Sequence, residues 1–261
     1  MSRHRADSAV RRLNERAGNP DGITSPELAR TLLLARRLAY STEGAFDPTI
    51  APLLDVWRRA SRRSSWPSPD ELRVARAAVG WQAIAVADDR VALLRPEMAI
   101  DLGAFGKGVA LDRIADRLKD ERCGAALLNF GESSLLAIGR PPRGRWRVVL
   151  RHPRGGFVGE FPLGRRACST SATVGQSMRI GSRAVSHIVD PRTARPIRGC
   201  AQVTVLARTA AIAEAASTAL LVRGRAELDG LAGRLDVDAC WIDDEGIATT
   251  RWFPLDALGA A

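Results

Sequence analysis

The chain has 261 residues, of which 46% are hydrophobic and 26% charged, and these ordinary globular proportions exclude a wholly disordered, collagen-like or coiled-coil protein. No apolar run approaches the roughly 20 residues that a membrane span requires, and the polar N-terminal segment has no apolar core for a secretory signal, so we expect a soluble, cytoplasmic protein without a membrane segment. The formal net charge of +10 favours an anionic partner, but the basic residues are scattered without a tail or stripe, so we expect no nucleic-acid binding.

Two capped helices are predicted in the first third of the chain. Ser25 precedes Pro26 and apolar residues at helical spacing, which indicates an N-cap followed by a first-turn proline. Ser68-Pro69-Asp70-Glu71 has the pattern of a capping box and opens a second helix that ends near Val79. The Arg/Ser/Pro stretch at 58–69 is the best candidate for a linker.

Short runs that predict β-strands dominate the rest of the chain. Two helices interrupt them, one that follows the glycine-rich residues 101–108 and one alanine-rich helix over 209–222. The predicted strands cover 83–87, 91–94, 125–130, 134–139, 145–151, 157–163, 184–189, 201–207, 239–243 and 248–253. This irregular alternation predicts an α+β fold, with no clear domain boundary.

Residues 43–49 predict a turn that presents one carboxylate and one hydroxyl. Gly44 comes shortly before the sequence Phe46-Asp47-Pro48-Thr49, and such residues favour a turn over a helix or strand. The alternative, which these residues alone favour, is an Asx turn with Phe46 in the core.

The loop 101–108 has the composition of a phosphate-binding turn. Its glycines allow the backbone to approach a ligand closely, and the helix that follows offers N–H groups to a phosphate. The loop lacks the Walker spacing and the Ser/Thr after lysine. Lys107 is one of only two lysines among 39 basic residues, which indicates that a compact ammonium group is needed here. An ordinary turn that starts a helix is the alternative.

Histidine and cysteine usage excludes two kinds of metal site. With three histidines and four cysteines that form no CxxC pair, the chain has neither a histidine-rich site nor zinc-ribbon spacing, and we expect the cysteines to be reduced and buried. His187 stands in a predicted strand that ends at an Asp-Pro turn, and imidazole is the side chain best suited to proton transfer near neutral pH. A structural histidine in a strand is the alternative.

Glu214 and Thr218 share one face of the predicted helix 209–222, because they are four residues apart. A carboxylate and a hydroxyl placed this way offer two oxygen ligands to a hard cation such as Mg²⁺. The alternative is a solvated glutamate beside a threonine that bonds to its own helix backbone.

In order and combination these stretches resemble the ApbE family, the FAD:protein FMN transferases. The blocks that carry the resemblance extend across nearly the whole chain and are Ser8–Asn14, Gly44–Thr49, Asp101–Asp112, Leu128–Gly131, Thr170-Ser171, His187–Thr193 and Ala213–Leu220. The resemblance implies a mixed or antiparallel β-sheet core with flanking helices, in a single domain over 1–261 that lacks the first strand of typical members.

The resemblance also implies an activity. Such enzymes use FAD and Mg²⁺, attach FMN through a phosphoester to a Thr or Ser hydroxyl of a target protein that carries a flavinylation motif, and release AMP. It implies that His187 is the base. The implied Mg²⁺ ligands are the Ala104 main-chain carbonyl, the Glu214 carboxylate and the Thr218 hydroxyl. The implied flavin-side contacts are Ala45, Phe46, Asp47, Asp101, Lys107 and Ile188.

The chain departs from the family pattern at four positions. Glu214 stands where the helix ligand is usually aspartate, and Glu132, Ala172 and Ala194 stand where glycine is usual. Where a family glycine has a positive φ, a side chain costs on the order of 1 kcal/mol.

Other functions stay open at this point. A diverged member could bind FAD, or hydrolyse it to FMN and AMP, without modifying a protein; a flavin carrier without activity and a basic nucleic-acid-binding protein are further alternatives. His187 together with Glu214 and Thr218 favours an enzyme over a carrier. The sequence does not separate transferase from hydrolase, because the acceptor lies on another protein.

Overall fold

The computed structural model describes residues 2–164, 166–175 and 177–257. Its helices are α1 (Ala9–Glu15), α2 (Pro26–Ser41), α3 (Ala51–Arg62), α4 (Pro69–Ala77), α5 (Gly106–Asp120), α6 (Ala210–Arg223) and α7 (Leu228–Leu235). Its strands are β1 (Ile23–Thr24), β2 (Ile84–Ala87), β3 (Arg90–Leu93), β4 (Ala125–Phe130), β5 (Ser134–Gly139), β6 (Arg147–Arg151), β7 (Phe157–Pro162), β8 (Ala167–Ala172), β9 (Ser177–Ile180), β10 (Arg183–Ser186), β11 (Val189–Asp190), β12 (Arg195–Pro196), β13 (Ala201–Ala207), β14 (Asp238–Asp243), β15 (Gly246–Thr249) and β16 (Asp256–Ala257). The α+β class is confirmed, and the strand pairs are antiparallel.

The chain divides into two compact units, one made of Met1–Ala104 with Gly175–Arg198 and the other of Phe105–Val174 with Gly199–Ala261. The prediction of a single domain over 1–261 stays a prediction. The first unit holds α1 to α4, the small sheet β1-β3-β2, and the two ladders β9–β10 and β11–β12. Its core includes Trp57 of α3, whose indole N–H donates to the Ala194 carbonyl (2.9 Å), so the returning segment closes over a helix of the first segment.

The helix starts in the first unit follow the predicted capping. The Ser25 hydroxyl accepts the Leu28 N–H, and Ser68 and Glu71 form the reciprocal capping box at the start of α4. The linker predicted at 58–69 is wrong: α3 continues to Arg62, and only a short loop separates it from α4. Arginine and serine there lie on the exposed end of α3 and in the loop that follows it, within the first unit.

A six-stranded sheet of order β15-β14-β13-β8-β5-β4 organises the second unit. This unit also holds a smaller sheet of order β16-β7-β6 and the helices α5, α6 and α7. Strand β13 is central and buried along its whole length, which is why it is apolar apart from Gln202 and Thr204. The predicted strands 125–130, 134–139 and 201–207 are confirmed without a shift in their ends. None of the helices in the described ranges is long and apolar enough to cross a membrane.

The four cysteines are free, and they divide into two environments. Cys168 and Cys240 are buried in the core of the second unit, as expected, whereas Cys123 and Cys200 are only half-buried. Burial raises the pKa of the Cys168 and Cys240 thiols to about 12, so both stay protonated and behave as small apolar side chains.

Candidate functional site

The residues predicted to form the site are distributed over both units. Lys107, Glu214 and Thr218 belong to the second unit, and the remainder belong to the first: Ala45, Phe46, Asp47, Asp101, Ala104, His187 and Ile188. Each group forms a defined arrangement within its own unit.

Asp47 organises the turn at residues 44–49. Its carboxylate accepts hydrogen bonds from the Thr49 N–H (2.8 Å), the Thr49 hydroxyl (2.6 Å) and the Trp81 N–H (3.2 Å). The Thr49 hydroxyl oxygen in turn accepts the Gly80 N–H (2.8 Å). Phe46 is 4% exposed, so the alternative of an Asx turn with Phe46 in the core is confirmed, and contact of these residues with a flavin stays a prediction.

Burial dominates the electrostatics of Asp47. Desolvation raises the pKa of this carboxyl above its ordinary value, although the hydrogen bonds from Thr49 and Trp81 and the charge of Arg76 act in the opposite direction. The same carboxylate fixes the backbone of Trp81, whose ring meets that of Tyr40 edge-on at 6.0 Å. Asp47 therefore shapes the surroundings of the turn rather than presenting a free carboxylate.

Asp101 is similarly engaged. One carboxylate oxygen accepts the Gly103 N–H (2.7 Å), and the other lies 2.9 Å from Nε of Arg3 in an ion pair. The Asp101 N–H donates to the Pro48 carbonyl (2.9 Å), which ties this loop to the 44–49 turn. Ala104 follows in the exposed turn that leads to α5.

His187 and Ile188 lie outside any strand, so the strand predicted at 184–189 is confirmed over 184–186 and wrong at 187–188. The structure has β10 and β11 with a bend between them, because the Ser186 hydroxyl accepts the Ile188 N–H (3.1 Å) and turns the chain. The Ile188 carbonyl accepts the Ile197 N–H (3.0 Å), which holds the bend in place. The imidazole is half-buried in this bend, and its role as a base stays a prediction.

Lys107 lies in the first turn of α5 with three partners. Its ammonium group donates to the hydroxyls of Ser133 (2.6 Å) and Ser134 (3.0 Å) and lies 3.3 Å from the Glu214 carboxylate. The two serine hydroxyls use two of the three N–H donors of the ammonium group, and the ion pair with Glu214 restricts its position further. The Lys107 side chain is 33% exposed, which leaves one side open to a ligand.

Ser133 and Ser134 bond Lys107 and were not among the predicted site residues. They follow Gly131 and Glu132, both of which have positive φ (66° and 59°), so the chain reverses between β4 and β5. The only pointer to them in the sequence was the block Leu128–Gly131, which resembles the family and ends just before them in the same loop. Two adjacent serines indicate no particular role in a sequence, and only their contacts with Lys107 in the structure single them out.

Glu214 is buried, accepts two hydrogen bonds and forms one ion pair. One oxygen accepts the Gly108 N–H (2.8 Å), and the other accepts the Ser134 hydroxyl (2.5 Å) and faces the Lys107 ammonium. Because the residue is 3% exposed, the alternative of a solvated glutamate is wrong. Thr218 is half-buried, and its hydroxyl lies within hydrogen-bond distance of the Ser171 hydroxyl (3.3 Å).

The oxygen atoms of Glu214 and Thr218 suit a hard cation chemically. Two hydrogen-bond donors already occupy the Glu214 carboxylate and Lys107 neutralises its charge, so a cation would have to displace one of these partners or use a remaining lone pair. Within the described ranges there is no group of three or more His, Cys, Asp or Glu side chains that could hold a metal ion. The residues thus fit Mg²⁺ in donor type, with a carboxylate that is partly committed to other groups.

Comparison with known sequences identifies relatives across the chain. A protein named FAD:protein FMN transferase from Rhodobacter capsulatus is 33% identical over 227 residues, which is 85% of this chain and 43% of the relative. The protein of the same name from Salmonella typhimurium is 28% identical over 263 residues, covering 97% of this chain and 75% of the relative. The chain thus spans less than half of the first relative and three quarters of the second.

Solved structures give the same result. The ApbE protein of Thermotoga maritima superposes with a TM-score of 0.86 at 26% identity, covering 96% of this chain and 84% of that chain. Flavinyl transferase ApbE of Pseudomonas stutzeri, in its apo form, superposes with a TM-score of 0.83 at 29% identity, covering 96% and 81%. A sequence model of the ApbE family matches residues 1–241. The chain therefore belongs to the ApbE family.

Proposed function

We propose that this protein transfers FMN from FAD to a Thr or Ser hydroxyl of an acceptor protein, in a Mg²⁺-dependent reaction that releases AMP. The names of its relatives support this activity, because FAD:protein FMN transferases align with most of the chain. The observation that carries the proposal is the arrangement around Lys107. An ammonium group on a one-third exposed side chain, held by Ser133, Ser134 and Glu214 at the start of a 15-residue helix, is suited to bind a phosphate.

The reaction exchanges one phosphorus–oxygen bond for another. The acceptor hydroxyl attacks the phosphorus atom on the FMN side of the FAD pyrophosphate, a phosphoester forms, and AMP leaves with the bridging oxygen. Such a transfer requires charge neutralisation, alignment and a group that takes the hydroxyl proton. In this proposal His187 accepts that proton and Lys107 binds the phosphate oxygens.

The flavin-side contacts are proposed at Ala45, Phe46, Asp47, Asp101 and Ile188. Ala45 and Phe46 are buried, and the Asp47 carboxylate is occupied by Thr49 and Trp81, so the first three would contact the flavin nucleotide through main-chain atoms or the edge of the turn. The Asp101 side chain is also only 12% exposed, and its two oxygens are engaged by Gly103 and Arg3. This burial favours a turn of fixed shape over a set of mobile side chains.

Mg²⁺ is proposed to bind the Ala104 carbonyl, the Glu214 carboxylate and the Thr218 hydroxyl, and it would neutralise charge on the pyrophosphate. Glu214 then has two partners of positive charge, Lys107 and the cation. The carboxylate can serve both because each of its oxygens has two lone pairs.

The proposal is tested by incubating the protein with FAD, Mg²⁺ and candidate acceptor proteins that carry an exposed Thr or Ser motif. Mass spectrometry of the acceptor should show the added mass of one FMN group at a hydroxyl residue, and chromatography should show AMP in equal amount. FMN and AMP without a modified acceptor would instead support the pyrophosphatase alternative. Saturable FAD binding with neither product would contradict both enzymatic functions.

A further inference from the structure

Arg3 is an N-terminal residue whose side chain is packed into the first unit. Its side chain is 10% exposed, whereas that of Arg5, two residues later, is 72% exposed. The guanidinium group makes a bidentate pair with Asp55 of α3, with N–O distances of 2.9 and 2.6 Å. A paired guanidinium with little exposure is rarely an incidental surface contact.

The remaining nitrogen of the same guanidinium faces the glycine-rich loop. Nε of Arg3 lies 2.9 Å from one carboxylate oxygen of Asp101, so a single planar group joins α3 to this loop. Arg58 of α3 adds a second positive charge, 3.6 Å from Asp55 and 4.0 Å from Asp101. Two arginines and two aspartates therefore form one ionic cluster.

The cluster leaves Asp101 little freedom to rotate. Its second oxygen accepts the Gly103 N–H, and its own N–H donates to the Pro48 carbonyl. Arg3 adds a charge contact at the other oxygen, because its Nε lies 2.9 Å away in an ion pair that lacks the geometry of a hydrogen bond. A lysine at position 3 could pair with one aspartate but could not present the fork that meets both.

We propose that Arg3 is a positioning residue that holds Asp101, and with it the turn 101–104, in the conformation that binds the flavin nucleotide. This inference rests on the proposed function, because Asp101 is among the proposed flavin contacts. It gives the N-terminal segment a part in the site without any contact between Arg3 and the ligand. Arg3 thus acts on FAD affinity through Asp101 and on stability through Asp55.

The two effects separate in a double-mutant cycle on the full chain. FAD dissociation constants are measured by flavin fluorescence, and melting temperatures are measured alongside. We expect Arg3→Ala to weaken FAD binding by about tenfold, which is the loss of one charged contact, and Arg3→Lys to be intermediate. Arg5→Ala is the matched control from the same segment and should bind FAD as the wild type does.

The effect of Arg3→Ala in a chain that already carries Asp101→Asn shows whether Arg3 acts on FAD affinity through Asp101. In Asp101→Asn, the further change Arg3→Ala should leave FAD affinity unaltered while still lowering the melting temperature, because the pair with Asp55 is lost in both backgrounds. Equal FAD affinity of wild type and Arg3→Ala would overturn the proposal and leave the proposed function intact. If Arg3→Ala does not fold, Arg3→Lys decides, since wild-type affinity in that variant would overturn it. No saturable FAD binding by the wild type would overturn the proposed function itself, and this inference with it.

Discussion

Asp112 and Glu214 each cap the helix that carries the other. Asp112 of α5 accepts the Ala210 and Ala211 N–H groups (2.7 and 3.0 Å) at the start of α6, and Glu214 of α6 accepts the Gly108 N–H in the first turn of α5. The helices approach closely because Gly108 has no side chain: a Cβ there would lie 2.4 Å from the Ala210 carbonyl oxygen. Glu214 thus combines a helix cap with the group that holds Lys107.

This double engagement predicts weak but real Mg²⁺ dependence. Glu214→Asp should strengthen Mg²⁺ binding, because the shorter side chain cannot reach the Gly108 N–H and Ser134 together and leaves a less committed carboxylate. Glu214→Gln should remove Mg²⁺ binding, because a neutral amide is a poor ligand for a hard cation. Calorimetric titration of Mg²⁺ measures this directly, with activity against Mg²⁺ concentration as a second readout.

The exposed carboxylate at the end of α5 provides the control for that series. Glu121→Gln should bind Mg²⁺ as the wild type does in the same calorimetric titration, since Glu121 forms an exposed ion pair with Arg117. A Glu214→Gln variant that keeps the wild-type Mg²⁺ requirement would show that Glu214 serves only as a cap and as the partner of Lys107.

His187→Ala should lower the rate of flavin transfer by roughly 10²–10⁴, which is the usual contribution of a general base. FAD affinity should stay near that of the wild type, because the proton is transferred only when the acceptor attacks. The rate is measured by acceptor mass spectrometry over time and the affinity by fluorescence. His152→Ala, in the loop between β6 and β7, is the control and should keep the wild-type rate. An unchanged rate in His187→Ala would reject the assignment.

Glu132→Gly should raise the free energy of unfolding. Glu132 has φ 59°, where a side chain costs about 1 kcal/mol, and the greater entropy of glycine in the unfolded chain offsets roughly 0.5 kcal/mol of the gain. A net increase of about 0.5 kcal/mol is expected in urea unfolding. Ala194→Gly should gain less, although φ is 60° there, because its buried methyl group is lost. Ala172→Gly, in β8, should be destabilised, and stabilisation of that control would contradict the backbone explanation.

Asp47 should make a pH-dependent contribution to stability. Burial raises its pKa in the folded chain, so the folded state binds this proton more tightly than the unfolded state, whose pKa is near 3.9. The stability that Asp47 provides relative to Asp47→Asn should therefore fall as pH rises through the window between those two pKa values. Unfolding free energies of both proteins from pH 4 to 7 measure the difference, in which the other groups cancel.

Asp7 offers a control of opposite sign. A hydrogen bond from Arg5 lowers the pKa of this exposed carboxyl, so the difference between wild type and Asp7→Asn should increase with pH, although only slightly at an exposed site. A difference for Asp47 that increased with pH would mean that its hydrogen bonds outweigh its burial.

Local signals in the sequence predicted much of the fold and part of the site. Caps at Ser25 and Ser68 and the apolar runs of β4, β5 and β13 are local patterns, and these elements were found where predicted. The bend at His187 was missed because the apolar residues on either side of it continue the strand pattern, and a single Ser186 hydroxyl bond interrupts it. Strand β8 was missed because its small polar residues are held by pairing with β5 and β13, not by their own preference.

Contacts between residues far apart in the chain could not be predicted. Lys107 meets Ser133 and Ser134 across 26 and 27 residues, and Arg3 meets Asp101 across most of the first unit. Helical or strand periodicity does not predict such pairs. The sequence therefore indicated candidate functional residues, but not the groups that bond to them. The engagement of Glu214 by Gly108, Ser134 and Lys107 is the clearest example, since its spacing from Thr218 suggested only a pair of oxygen ligands.

The interrupted path of the first unit has a consequence for the order in which the chain folds during synthesis. Trp57 bonds to the Ala194 carbonyl, 137 residues further on, so the core around α3 cannot close until that distant segment has left the ribosome. At typical elongation rates that delay is about 7–30 s. The segment that bears His187 arrives with the same late piece. The side of α3 that Ile180, Val189 and Ala194 cover therefore stays open while Phe105–Val174 of the second unit is made, although Ala75 and Val79 already pack on this helix.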